Sequence, residues 1–103
     1  MSLMNKSKLK REINNVINAD KLLTVFRSRW TDKGLHVSLT GNQDWFKIVD
    51  RTRSDRALNK IWSKQAGLLK RRLKRQFSDI KSITNKELLT GHAEYYDGIL
   101  ISF

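Results

Sequence analysis

Residues 22–49 read LLTVFRSRWTDKGLHVSLTGNQDWFKIV, and whether the apolar runs in this stretch are strands or helices decides the fold. At its centre, Thr31-Asp32-Lys33-Gly34 has the make-up of a type I turn with a glycine ready for positive φ, the chemistry of a bulged hairpin. Such a turn makes its flanks antiparallel strands. Downstream, Leu35, Val37 and Leu39 alternate with His36, Ser38 and Thr40, which puts the apolar set on one face of a half-buried strand. Upstream, Leu22, Leu23, Phe26 and Trp30 keep helical spacing while Thr24-Val25-Phe26 favours a strand, and the turn tips the balance to strand. Gly41-Asn42-Gln43-Asp44 turns the chain again, so Trp45-Phe46-Lys47-Ile48-Val49 is expected as the third strand of a meander.

Helices are expected on either side of this meander. Leu9, Ile13, Val16 and Ile17 stand at i, i+4, i+7 and i+8, which predicts an amphipathic helix over about 7–19 with Ser7 as its N-cap. From Ser54 or Asp55 to about Lys81, Leu58, Ile61, Trp62, Gln65, Leu69, Leu73, Gln76, Phe77 and Ile80 fall in one stripe when each residue advances by about 100°. One long helix is expected there, with a possible bend at Gly67. After Ile83 a helical turn is expected at Asn85 to Leu89. The Asp97-Gly98 pair then lies between the β-prone runs His92–Tyr96 and Ile99–Phe103, a strong hairpin signal. The fold class is therefore α+β: a small antiparallel sheet, made of a three-stranded meander and a C-terminal hairpin, packed against an N-terminal helix and one long basic helix.

The order helix, three antiparallel strands, helix over roughly residues 7–81 resembles the topology of the double-stranded-RNA-binding domain, and Gly34-Leu35-His36 is similar to that family's Gly-Pro-x-His loop without its proline. The family's Lys-Lys-x-Ala-Lys cluster has no counterpart at Ser54-Asp55-Arg56-Ala57-Leu58, so the likeness is one of topology and does not extend to family membership.

Composition narrows the function classes. With 103 residues, 39% apolar, the chain is the size of one domain and carries enough apolar material to fold. Residues 4–103 are expected to form that domain, Met1-Ser2-Leu3 having the look of a vector remnant ahead of a natural start at Met4. The absence of cysteine removes disulfides, thiolate metal sites and thiol nucleophiles, which points to a cytoplasmic or nucleoid-associated protein. No apolar run approaches the ~20 residues that cross a bilayer, so no membrane partner is expected.

Charge is the most informative feature. The chain holds 21 Lys and Arg against 10 Asp and Glu, a net +11. Between Arg51 and Lys81 eleven basic residues face only Asp55 and Asp79, a local excess of +9, whereas residues 82–103 carry −2. Arg56, Lys60, Lys64, Lys70, Arg71, Lys74 and Arg75 project opposite the apolar stripe of the long helix, and Arg51 and Arg53 flank them. Arg56/Lys60, Lys60/Lys64, Lys70/Lys74 and Arg71/Arg75 are like-charged i, i+4 pairs, which oppose helix formation by a few tenths of a kcal/mol each. A polyanion relieves that repulsion, and phosphates neutralised by Lys and Arg release condensed counterions. These nine residues are the expected nucleic-acid contacts, with RNA against DNA unresolved. The plain alternative is a solvated face that serves solubility alone.

Two further readings compete. A small, toxin-like, metal-independent ribonuclease needs an acid–base pair near neutral pH and cationic stabilisation of the phosphorane; His92, Glu94 and His36 are the residue types available, although both histidines are expected on solvated strand faces. An assembly protein would instead dock the basic helix on an acidic protein partner. An edge strand of the C-terminal hairpin offers a route to a homodimer. No spacing suits a metal ligand set, and no glycine motif suits a nucleotide cofactor, so neither is expected. Trp30, Tyr95 and Tyr96 are the candidate base-stacking groups, while Trp45, Trp62, Phe26 and Phe77 read as core.

Overall fold

Helix α1 (Lys6–Asn18) begins at Asn5, whose side chain accepts the Lys8 N–H at 3.0 Å. The cap is thus Asn5 and not Ser7, which lies inside the helix; an asparagine in extended backbone satisfies the orphan amide of the first turn. Ile13 and Ile17 are fully buried, with Leu9 and Val16 packed beside them. Strands β1 (Leu23–Thr31) and β2 (Gly34–Gly41) follow and pair antiparallel from Leu23↔Gly41 to Thr31↔Gly34. The expected turn therefore forms at Asp32-Lys33. Gly34 takes φ +139°, and a Cβ there would overlap the carbonyl oxygen of Ile101, so both conformation and close approach require glycine. The computed structural model describes residues 5–87 and 97–103, and structural statements below concern those residues.

The third expected strand is a helix. Trp45-Phe46-Lys47-Ile48-Val49 lies inside α2 (Gln43–Arg51), capped by Asn42, whose side chain accepts the Trp45 N–H at 3.1 Å. Asp44 in the first turn and Arg51 in the last complement the helix dipole. Trp45 is buried and Ile48 and Val49 half-buried, an i, i+3, i+4 pattern that a helix satisfies and an alternating strand does not. The likeness to the double-stranded-RNA-binding topology ends here, because two helices follow two strands. The second, α3 (Asp55–Gln76), runs unbroken through Gly67 and stops five residues before Lys81.

The sheet is completed from the C-terminal side by β3 (Ser82–Glu87) and β4 (Asp97–Ser102), in the order β1-β2-β4-β3, antiparallel throughout. Asn85–Glu87 are strand, not a helical turn. Asp97 and Gly98 are the first residues of β4, paired with Glu87 and Lys86, so they do not form the expected hairpin turn; the proposed strand at 92–96 lies outside the described residues. The fold class is α+β, three helices with a four-stranded antiparallel sheet.

One face of the sheet carries the core. Leu35, Val37 and Leu39 of β2 join Ile99 and Ile101 of β4 and meet Ile13, Ile17, Leu58, Trp62, Leu69 and Leu73 from the helices. A bulge at Phe26 sorts β1: Val25 pairs with Leu39, but the next pair is Arg27↔Ser38. The extra residue returns Ser28 and Trp30 to the helix-covered side opposite Val37 and Leu35, and puts Arg27 and Arg29 on the other face.

Candidate nucleic-acid interface

Helix α3 is built to bury one stripe and expose the other. Ser54 caps it by accepting the Ala57 N–H at 3.2 Å, and Lys74 and Arg75 in the last turn sit favourably at the negative end of the dipole. Leu58, Trp62, Ala66, Leu69 and Leu73 are its buried residues. At about 100° per residue, Lys60, Lys64 and Arg71 stand opposite that stripe, with Arg56, Lys74 and Arg75 beside them. All six are exposed, and from Arg56 to Arg75 the row runs about 28 Å at ~1.5 Å per residue.

The other predicted contacts sit at the margins. Lys70 is half-buried on the flank of α3. Arg51 closes α2 and folds back, its Nε donating to the Lys47 carbonyl at 3.2 Å, while Arg53 is exposed in the connection to α3. The ion pairs described are Lys47–Asp44 at 3.9 Å and Arg72–Asp20 at 3.7 Å, and neither draws on a cation of the row.

Arg72 escaped the sequence reading as a site residue. It lies between the buried stripe and the cationic row, on the flank that faces α1, and its partner Asp20 is remote in sequence. The carboxylate belongs to the α1–β1 connection, where Oδ2 accepts the Leu22 and Leu23 amides, both at 3.0 Å. The only sequence signal is an aspartate two residues past a helix end, a position suited to capturing following amides.

Of the groups considered for acid–base chemistry, His36 alone lies among the described residues. His36 is 8% exposed and so not solvated as expected; it lies on the interior strand β2 between Arg29 and Leu100. His92 and Glu94 lie outside the described residues, as do Tyr95 and Tyr96. Trp30 is half-buried and engaged: its Nε1 donates to the Lys6 carbonyl at 3.0 Å, Lys6 Nζ lies 5.4 Å from its ring centroid, and Phe103 packs at 5.7 Å. Phe26, expected in the core, is 59% exposed at the bulge. No group of three or more His, Cys, Asp or Glu suited to a metal ion occurs among the described residues, and no described helix is long and apolar enough to cross a membrane.

Comparison with protein-family models, curated proteins and solved structures finds no match to this chain.

Proposed function

We propose that the protein binds nucleic acid by contacting its phosphate backbone with the outer face of α3. One observation carries this reading: Arg56, Lys60, Lys64, Arg71, Lys74 and Arg75 share one exposed helix face while the opposite face is locked into the core. The helix accepts like-charge repulsion along its length, and a phosphate backbone supplies the missing counter-charge. Contacts of this kind position a nucleic acid without reading its bases, so the expected binding is weakly sequence-dependent.

Affinity for single-stranded and duplex RNA and DNA, measured across a salt series, tests the reading. Binding should weaken steeply with salt, and substitution of Lys70, Arg71, Lys74 and Arg75 by Gln together should lower both the affinity and the dependence of log K on log salt. A variant with an unchanged slope would overturn the proposal. Retention of an acidic protein partner after nuclease digestion, with no retention of nucleic acid by the wild type, would transfer the face to protein docking.

A further inference from the structure

A cleft of about 440 Å³ separates α1 from α3, lined by Asn15, Val16 and Ala19 on one side and Arg72 and Gln76 on the other. Arg72 projects at its edge with 44% of its side chain exposed, and one of its terminal nitrogens lies 3.7 Å from Asp20 Oδ1. Asp20 is itself immobilised. Its side chain is fully buried, accepts the two backbone amides of Leu22 and Leu23, and receives Gln65 Nε2 at 3.1 Å and 3.2 Å from its two oxygens.

A guanidinium has five donors in a rigid planar fork, and this one engages Asp20 through a single nitrogen. Three donors besides Arg72, the Leu22 and Leu23 amides and Gln65 Nε2, share the negative charge of the carboxylate, so the ion pair at 3.7 Å leaves the guanidinium incompletely neutralised. The cationic residues Arg71 and Arg75 are neighbours along the same helix, and the amides of Asn15 and Gln76 offer both donors and acceptors across the cleft. Val16 and Ala19 supply an apolar wall.

We propose that this cleft takes one phosphodiester group of the bound strand, with Arg72 as its donor fork and Asp20 as the residue that positions Arg72. The inference rests on the reading of α3 as a nucleic-acid face and adds a fixed point to it. Unlike the exposed lysines and arginines of the outer row, Arg72 stands against a fixed, buried carboxylate at 3.7 Å, so its contribution depends on placement as well as charge.

Binding of a fluorescein-labelled, mixed-sequence, single-stranded RNA 20-mer to the full chain separates these properties. Arg72→Lys keeps the charge and loses the fork: the expected result is about tenfold weaker binding at fixed salt, with the wild-type salt slope retained. Arg72→Ala should weaken binding further and lower the slope by ~0.7, one phosphate contact on a single strand. Asp20→Asn should weaken binding in the wild-type background and change nothing in the Arg72→Ala background, a coupling that general loosening of the fold would not produce. Should Asp20→Asn fail to fold, the two Arg72 variants decide the matter alone. If the wild type binds with a steep salt slope and Arg72→Lys binds equally well, the cleft proposal is overturned and the α3 face stands; if the wild type shows no salt-dependent binding, the α3 reading falls and takes the cleft with it.

Discussion

Trp45 of α2 and Trp62 of α3 meet edge to face, their ring centroids 5.0 Å apart and their planes at 67°. Both are 3% exposed, so the contact joins the two consecutive helices to the core at a point that neither could cover alone. The geometry brings the positive edge of one indole to the negative face of the other, worth about 0.5–1.5 kcal/mol beyond the area buried. Trp45→Ala is expected to cost ~3–5 kcal/mol in urea unfolding, as large aromatic truncations do in cores. Repeating it in a Trp62→Leu background should recover a coupling of about 1 kcal/mol; strict additivity would show that the rings do no more than fill space.

Gly41 exists for the same contact. A Cβ at this position would overlap the Trp45 side chain at Cβ, Cγ and Cδ1, so the indole or the end of β2 has to move. Gly41→Ala should therefore destabilise by ~1–3 kcal/mol, the usual range for overpacking. Gly67 is the opposite case, with nothing within 4 Å of the corresponding position. Gly67→Ala in the middle of α3 should raise stability by ~0.5–1 kcal/mol and leave nucleic-acid affinity unchanged. A loss of affinity in that variant would instead mean that the bare backbone approaches the ligand.

The buried carboxylate of Asp20 makes a third prediction. It holds the α1–β1 connection by accepting two main-chain amides and ties that connection to α3 through Gln65. Asp20→Ala leaves those donors without an acceptor in a buried setting, at an expected cost of about 3 kcal/mol. Thermal unfolding measures it, and Gln65→Leu, which removes only one of the donors, should cost clearly less. Equal losses in the two variants would place the effect elsewhere.

What the sequence disclosed, and what it concealed, divides along local and non-local lines. The Thr31–Gly34 turn and the alternation of Leu35, Val37 and Leu39 are local signals, and the hairpin forms where they put it. The exposure of Lys60, Lys64 and Arg71 follows from 3.6-residue periodicity over a 22-residue helix and was equally legible. The mixed spacing of Leu22, Leu23, Phe26 and Trp30 looked partly helical because the bulge at Phe26 adds a residue to one side of the ladder. The β propensity of Trp45-Phe46-Lys47-Ile48-Val49 yields to burial: Asn42 supplies a cap, and the partner that rewards the helix, Trp62, is seventeen residues away. The Asp97-Gly98 pair carries hairpin chemistry in isolation, yet pairing with Lys86 and Glu87 draws it into β4. The Asp20–Arg72 pair spans 52 positions, and no local pattern encodes it.

The last prediction separates placement of charge from its amount. A net +11 attracts any polyanion to some extent, so loss of binding on removing cations does not by itself identify a face. Two quadruple variants with the same net charge make the distinction. In one, Lys60, Lys64, Arg71 and Lys74 become Gln, which empties the outer face of α3. In the other, Lys21, Arg27, Arg29 and Lys33 become Gln; all four are exposed, and Arg27 and Arg29 lie on the sheet face turned away from the helices. Each variant lowers the charge by four, but only the first removes groups set along one line. If α3 is the contact surface, log K against log salt should flatten by ~3–4 for duplex DNA in the first variant, close to 0.9 per lost phosphate contact, and by less than about 1 in the second. Equal flattening in both would mean that the attraction belongs to the whole molecule and that the row on α3 is a solvated surface like any other.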